Sequence, residues 1–246
     1  MNSEQKDSPA DFTRVGADVF ISYSRKDMNF VRRLNEALER YQQKTWVDLE
    51  DIRPAEEWSK RIDVGIESAN NFIFVISANS LASPECEREL AHAVEHGKRI
   101  VPVVYGDVDP KKAPAALANL NLIFSRGKDD FENALKSVVQ ALTTDLLWVN
   151  EHTRLETRAV EWHARARKRS LLLTGDELQA AEVWLIRGDE KKPKPTQLQH
   201  EYIQASRRAA DRSRQLTIAV LSAGLLVALC GLWSNATKRL PRRTSQ

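Results

Sequence analysis

The stretch D-V-F-I-S-Y-S-R-K-D, from Asp18 to Asp27, decides the fold of this chain. Its apolar run V-F-I predicts a β-strand that is buried on both faces. Ser24 stands three residues before Asp27, which is the spacing of an N-cap residue and an acidic partner, so we expect a helix to begin there. Strand one therefore ends near Tyr23, and open α/β sheets bind their ligands at that carboxyl edge of the strands.

The alternation of strand and helix continues through the first 143 residues. Further strands are predicted at 45–48, 72–77, 100–105 and 120–124, and amphipathic helices at 26–42, 57–69, 83–96 and 131–142. The helix at 83–96 has the clearest start, because Ser83 suits the N-cap and Pro84 suits the first helical position. The pattern predicts an α/β domain with a mostly parallel five-stranded sheet and helices on both faces.

Beyond residue 144 the pattern contains helices only. The pattern of residues 144–215 predicts an α-helical stalk. Thr196 and Gln199 have the spacing of a pair that caps the last helix. Residues 216–233 carry no charge and would span about 27 Å as a helix, close to the ~30 Å core of a bilayer. A buried helix is the alternative, but basic flanks and Trp233 at one end favour a transmembrane helix.

Charge and composition limit the functions that this chain can serve. Its 246 residues have a net charge of +3, with an acidic excess in the first 143 residues and no acidic residue after 215. An acidic head argues against nucleic-acid binding, and a basic tail at 234–246 suits an anionic membrane surface. Two cysteines form no disulfide framework, so we expect a reduced, cytoplasm-facing head. The polar start, 1–16, predicts a disordered N-terminus without a signal peptide.

Four blocks of sequence together resemble the TIR (Toll/interleukin receptor) domain family over residues 17–143. They are Asp18 to Asp27, T-W-V-D-L-E-D-I at 45–52, F-I-F-V-I-S-A-N-S-L-A-S-P-E-C-E-R-E-L at 72–90, and R-I-V-P-V-V at 99–104. The resemblance implies a flavodoxin-like five-stranded parallel sheet. Residues 144–215 are similar to a segment that follows TIR domains in bacterial multidomain sensors, so we expect a bacterial-type TIR protein with a C-terminal anchor.

Glu89 is the first candidate for chemistry. On the predicted helix it lies three residues after Cys86 and borders the apolar stripe, so its carboxylate is expected to be partly desolvated, which disfavours the charged form. From the residues alone, the favoured interpretation is that Glu89 pairs with a nearby arginine or faces water, since charged helix residues are usually solvated. In the family resemblance, C-E-R-E-L stands where NAD-cleaving members carry their catalytic glutamate, and Glu89 matches that position. Glu85 departs from the aromatic residue that the family often has before the cysteine.

The resemblance also implies substrate contacts around the first strand. The expected substrate-binding residues are Ser22, Ser24, Arg25, Asp48 and Asp63. The first three lie at the strand edge, and Asp48 opens residues 48–54, which resemble the BB loop that gates the pocket and mediates self-assembly. Asp63 matches an acidic position of some bacterial members. We expect Trp46 to be a core residue rather than a stacking platform.

The expected function is a membrane-anchored signalling or defence protein of innate immunity that hydrolyses NAD to nicotinamide and an ADP-ribose product when clustered. NAD is then a substrate, no cofactor is needed, and the partners are other TIR domains and membrane lipid but no nucleic acid. The expected localisation is a single-pass membrane protein whose TIR domain faces the cytoplasm. The alternative is a non-catalytic adaptor that signals by TIR–TIR self-association.

One further pattern concerns metals. Glu89, His92 and His96 form E-x-x-H-x-x-x-H on one helix, which is the spacing of half a metal site. The sequence shows no matching second cluster, so we expect no metal.

Overall fold

The computed structural model describes residues 18–47, 55–109, 112–127 and 129–238, and for residues 55–58 and 227–238 it describes the backbone alone. The predicted disordered N-terminus at 1–16 lies outside the described residues. So do Asp48, the loop at 48–54 and the last part of the predicted basic tail, 239–246.

Five parallel strands form one sheet. They are β1 (Val19–Ser22), β2 (Thr45–Trp46), β3 (Asn71–Ile76), β4 (Arg99–Val104) and β5 (Ile123–Phe124). Their order across the sheet is β2-β1-β3-β4-β5, with Ser22 of β1 opposite Phe74 of β3. The predicted five-stranded parallel sheet is therefore confirmed. Every residue of β3 is buried, as expected for the central strand of a sheet that is covered on both faces.

Four helices cover the two faces of the sheet. They are α1 (Met28–Arg40), α2 (Ala55–Ser68), α3 (Pro84–Glu95) and α4 (Phe131–Thr143). Alternate residues of a strand face opposite sides, so Val19 and Ile21 pack against α1 and α4. Phe20 and Phe72 pack on the other side against α2 and α3. This alternation fixes which helix each strand residue meets.

Helix α3 begins where its sequence signal predicts, whereas helix α1 does not. Ser83 caps α3 as predicted, because its hydroxyl accepts a hydrogen bond from the Cys86 amide at 3.3 Å. Ser24 makes no such side-chain bond, and residues 25–27 form a 3-10 turn before α1 begins at Met28. The first helix thus starts two residues later than predicted, because the side chain of Asp27 forms hydrogen bonds with Ser77 and Asn79 instead of with the start of the helix.

Residues 144–215, predicted as a helical stalk, form helices that share a packed core. This helical unit contains α5 (Leu146–Ala164), α6 (Gly175–Ile186) and the first turns of α7 (Gln197–Lys238). Its core is aromatic, with the rings of Trp148 and Trp184 stacked at 4.5 Å. The predicted cap of α7 is present, since the Thr196 amide donates to Gln199 at 2.8 Å and the Gln199 amide donates to the Thr196 hydroxyl at 3.2 Å.

The helical unit packs against α2 and α3, and Gly97 makes this close approach possible. Gly97 ends α3 with φ of +58°, and the next amide, of Lys98, donates to the carbonyl of Ala93 at 2.8 Å, which is the Schellman pattern. A Cβ at Gly97 would lie 2.9 Å from Thr196 Cγ2 and 3.2 Å from the ring of His152. A side chain there would therefore need both a strained backbone and a wider junction.

The prediction of a transmembrane helix at 216–233 is not supported. These residues are the later part of α7, a single helix of 42 residues that starts in the packed unit. Among the described residues, no helix combines the length and the apolar character needed to cross a bilayer. The side chains beyond residue 226 lie outside the described part, and the membrane localisation stays a sequence prediction.

Replacing Gly97 with alanine should destabilise the chain by about 1–3 kcal/mol, because alanine disfavours positive φ and its Cβ meets Thr196. Urea unfolding measures the loss. Gly127→Ala is the matched control, since nothing lies within 4 Å of a Cβ there. Equal stability of the two variants would contradict the proposed junction.

Stability should fall as the pH drops from 6.5 towards 4, in part through His152. Burial lowers the pKa of His152 from 6.5 to about 4, and the nearby Lys98 acts in the same direction. In that window the unfolded chain binds a proton that the folded chain does not, which costs roughly 3 kcal/mol of folding free energy. His152→Gln, which keeps a donor towards the Lys194 carbonyl, should lose less stability over this range than the wild type. His163→Gln, at an exposed position of α5, should follow the wild type, and parallel curves for all three chains would refute this assignment.

Candidate active site

The strand order creates a crevice between β1 and β3. The chain leaves β1 towards α1 on one face of the sheet and leaves β3 towards α3 on the other. In sheets of this order, ligands bind outside the carboxyl ends of the strands, at the point where the direction of winding changes. Ser22 ends β1 at this point, Ser24 follows it, and Ser77 follows β3. We call this region the β1–β3 crevice.

Asp27 is a buried carboxylate that closes one side of the β1–β3 crevice. Only 5% of the residue is exposed. It accepts hydrogen bonds from the Ser77 hydroxyl and from the Asn79 amide, the latter at 2.7 Å. Ser77 and Ser80 are also linked, since the Ser80 amide donates to the Ser77 hydroxyl at 3.0 Å. Asp27 thus joins the end of β1 to the loop after β3.

This role of Asp27 is not predicted from the sequence, because the spacing of Asp27 from Ser24 matches a helix cap. The polar run S-A-N-S at 77–80, directly after a buried strand, was the available signal. Carboxyl ends of parallel strands meet at one edge, so an acid after β1 and hydroxyls after β3 could have been paired on that ground.

Ser22 is buried on the same side of the sheet as α3. Its exposure is 1%, and among the described residues its hydroxyl oxygen has no well-formed hydrogen bond. Cys86 of α3 is close by, since Ser22 is one of the groups that lower the pKa of the Cys86 thiol. Burial outweighs that effect and raises the pKa of this thiol to about 11, so Cys86 is protonated at neutral pH and serves as a packing residue.

Glu89 lies one turn after Cys86 on α3. It is 9% exposed and belongs to the buried polar residues of the chain, and its negative charge acts on the Cys86 thiol by raising the pKa of that group. The apolar neighbours on α3 are Leu90 and Ala93, at 3% and 0% exposure. The helix therefore holds a carboxylate at the edge of an apolar layer, on the side of the sheet that Ser22 faces.

The other predicted substrate-binding residues are spread around the crevice. Ser24 is half-buried and precedes the 3-10 turn, and Arg25 is exposed within that turn. Asp63 of α2 forms an ion pair with Arg88 of α3 at 2.6 Å, which places its carboxylate at the surface between the two helices. The structure thus brings Ser22 close to the α3 layer of Glu89, while Asp63 is already occupied by Arg88.

Trp46 packs in the domain core. Its ring stacks on Phe20 with centroids 4.6 Å apart, and a Cβ at Gly65 would lie 3.1 Å from it. Gly65 therefore leaves room for the indole, and the prediction of a core role is confirmed.

The two histidines of α3 meet a different carboxylate from the one that the sequence suggested. Glu67 of α2, rather than Glu89, lies beside His92 and His96. The spacing of residues within α3 could not predict this contact, because Glu67 lies 25 residues from His92 in the sequence.

Comparisons with known proteins identify the domain. Residues 19–139 match the family model described as TIR domain, and no curated protein matches the chain. The solved TIR domain of the Toll-related receptor TRR-2 from Hydra magnipapillata is 24% identical, with a TM-score of 0.43, over 51% of this chain and 98% of that one. A TIR-STING receptor from C. gigas is 28% identical, with a TM-score of 0.45, over 52% of this chain and 40% of that one. The TIR domains of the activated Roq1 resistosome are 21% identical, with a TM-score of 0.43, over 51% and 98%. The bacterial-type assignment finds no support in these matches.

Replacing Asp27 with asparagine should destabilise the fold by about 1–3 kcal/mol, because the new amide cannot accept from both the Ser77 hydroxyl and the Asn79 amide. Thermal and urea unfolding measure this loss. Asp107→Asn, at an exposed position, should leave stability nearly unchanged. If both variants unfold like the wild type, Asp27 does not tie the two strands together.

Proposed function

We propose, from the premise that residues 19–139 of this chain are a TIR domain, that the chain is a signalling or defence protein that hydrolyses NAD when several copies cluster. The products are nicotinamide and an ADP-ribose product, and Glu89 is the catalytic carboxylate. We place the domain in the cytoplasm, because its substrate is NAD and its thiol at Cys86 is free.

The burial of Glu89 is the observation that carries this proposal. Glu89 is 9% exposed and lies beside the apolar residues of α3, whereas Glu85 and Glu87 of the same helix are exposed to solvent. Its charge lies in a layer of low polarity, where an ion interacts more strongly with a nearby opposite charge than it does in water. A carboxylate in this position suits the stabilisation of a transient cation.

The chemistry needs one carboxylate. The bond between the ribose C1′ and the nicotinamide nitrogen breaks, and its electron pair neutralises the cationic ring nitrogen, so no general acid is required. Positive charge then develops on the ribose, and the Glu89 carboxylate stabilises it, as one of the two carboxylates does in glycosidases. Water adds to C1′, and its proton passes to solvent. A single carboxylate is thus sufficient for the reaction.

The surroundings of Ser22 favour the binding of a ligand in the β1–β3 crevice. The Ser22 hydroxyl is buried, and its neighbour on α3 is the Cys86 thiol, a weak hydrogen-bonding group, so a ligand hydroxyl would be a stronger partner. Ser22 stands at the carboxyl end of β1, where the β1–β3 crevice opens. We propose that it binds a hydroxyl of the NAD ribose, with Ser24 and Arg25 further along the same edge.

Clustering enters the proposal through the family resemblance, in which residues 48–54 match a loop that gates the pocket and mediates self-assembly. In such an arrangement two TIR domains complete one pocket, and any scaffold that holds several copies together raises their effective concentration. Self-association is then a condition for turnover rather than a separate activity.

A non-catalytic adaptor is the second candidate. The edge strand β5 ends at Phe124, whose side chain is 38% exposed, and we propose this end of the sheet as the contact with another domain. The two proposals differ in one measurable property, since an adaptor binds other TIR domains without consuming NAD.

Glu89→Gln should abolish NAD turnover by the full-length chain clustered on beads, because the amide cannot stabilise a cationic ribose. We expect a loss of at least 100-fold in nicotinamide release, in line with about 3 kcal/mol or more of transition-state stabilisation. Nicotinamide is quantified by chromatography at equal protein density.

Glu87→Gln is the matched control, because Glu87 lies two residues away on the same helix and is exposed. It should retain wild-type turnover, and both variants should keep the thermal stability of the wild type. Turnover that survives in Glu89→Gln would reject Glu89 as the catalytic residue, and a large loss of stability in that variant would identify it as a structural carboxylate.

A further inference from the structure

Three titratable side chains converge where α2 and α3 meet. His92 and His96 are four residues apart and lie on one face of α3, with ring centroids 4.4 Å apart. Glu67, near the end of α2, places Oε1 3.1 Å from His92 Nε2 and 3.8 Å from His96 Nε2. These three atoms all lie within 4.8 Å of one another, so two imidazole nitrogens and one carboxylate oxygen face a common point.

A second carboxylate orients His96 from behind. Glu156 of α5 is 2% exposed, and its Oε1 lies 3.3 Å from His96 Nδ1. The Thr196 hydroxyl donates to the other oxygen of Glu156 at 2.6 Å, which fixes the carboxylate. A proton on Nδ1 of His96 is therefore favoured, and the lone pair of Nε2 points towards Glu67 and His92. Carboxylates hold metal-binding histidines in this manner.

A hydrogen bond to Glu67 explains the position of the His92 ring, but no hydrogen bond to Glu67 explains the position of the His96 ring. The His92–Glu67 contact has hydrogen-bond length, whereas the 3.8 Å between His96 Nε2 and Glu67 does not. His96 is nevertheless well packed, with 12% of its side chain exposed. An ion at the common point would contact all three groups at once.

The surrounding charges favour a cation. The carboxylate of Glu95 and that of Asp63, which is paired with Arg88, also act on His92 and help to raise the pKa of that group, after the hydrogen bond to Glu67 as the main cause. Lys98 opposes them, but its amine donates to the carbonyls of Glu67 and Ala69 at 2.5 and 3.2 Å, at the end of α2. Among the described contacts, the ammonium group of Lys98 is thus directed at the backbone at the end of α2.

We propose that Glu67, His92 and His96 bind a Zn²⁺ ion. Two nitrogens and one oxygen suit this metal, whose bonds of about 2.0–2.1 Å put tetrahedral ligand atoms roughly 3.3 Å apart. The fourth position belongs to water, since the side chains of Glu67 and His92 are 24% and 19% exposed. The ion would tie α2 to α3 and, through Glu156, to the helical unit. This site is independent of the proposed NAD chemistry.

The test uses the untagged full-length chain after chelator treatment, because an affinity tag of histidines would itself bind metal. Calorimetric titration with Zn²⁺ should give one ion per chain. Zn²⁺ should also raise the unfolding temperature, since a ligand that binds only the folded state stabilises it. Co²⁺ serves as a spectroscopic probe, and we expect the intense visible absorption of a four- or five-coordinate ion.

Single substitutions assign the ligands. His92→Gln, His96→Gln and Glu67→Gln should each weaken Zn²⁺ binding at least 10-fold, and Glu156→Gln should weaken it about 10–100-fold as a positioning residue. His163→Gln changes an exposed histidine of α5 and should bind like the wild type. Circular dichroism of the metal-free chains establishes that each variant is folded.

Two results would overturn the proposal. One is a wild-type chain that is folded but neither binds Zn²⁺ in calorimetry nor changes the Co²⁺ spectrum from that of the free ion. The other is Zn²⁺ binding that is equally strong in the His92→Gln and His163→Gln chains, which would place the ion elsewhere. Because none of these measurements involves NAD, their failure leaves the proposed enzymatic function untouched, and the reverse also holds.

Discussion

The parallel pairing of β1 with β3 is the constraint on which the rest of the structure depends. It puts a residue pair such as Ser22 and Phe74 side by side, although the chain needs two helices and an edge strand to connect them. Because the winding changes direction at this pair, the helices after the two strands lie on opposite faces and the carboxyl ends stay open. Asp27 then holds the opening together by accepting hydrogen bonds from beyond β3. The domain thus combines a rigid apolar sheet with a polar crevice at one edge.

Buried charge recurs around this sheet and has two different explanations. Asp27 and Glu156 have hydrogen-bond donors fixed by the fold, so their burial is compensated and their role is to join elements. Glu89 stands at the margin of an apolar layer, and the function proposed above gives this carboxylate a catalytic role. Departures from local rules concentrate at functional sites, because a stable fold tolerates only a few of them.

Much of the fold could be predicted from the sequence, because strand and helix patterns are local. The apolar run of β3, the Ser83–Pro84 helix start and the capping pair at Thr196 each depend on residues within a few positions. The contacts that build the sites are not local: Asp27 meets Ser77 across 50 residues, and His96 meets Glu156 across 60. The helices of residues 144–215 were predicted for the same local reason, but their shared core was not, since an amphipathic pattern does not tell which surface its apolar face will meet. The transmembrane prediction depended on a local run of apolar residues. In the structure this run is the later part of the long helix α7.

The central claim is that this TIR domain cleaves NAD when copies meet, and nicotinamide release as a function of surface density tests it most directly. The full-length chain is coupled to beads at a series of densities, and the nicotinamide formed per chain is followed by NMR with NAD in excess. We expect release per chain to rise steeply with density and an ADP-ribose product to appear in equal amount. A chain that self-associates on the beads but releases no nicotinamide at any density would contradict the claim and leave the adaptor as the function of the domain.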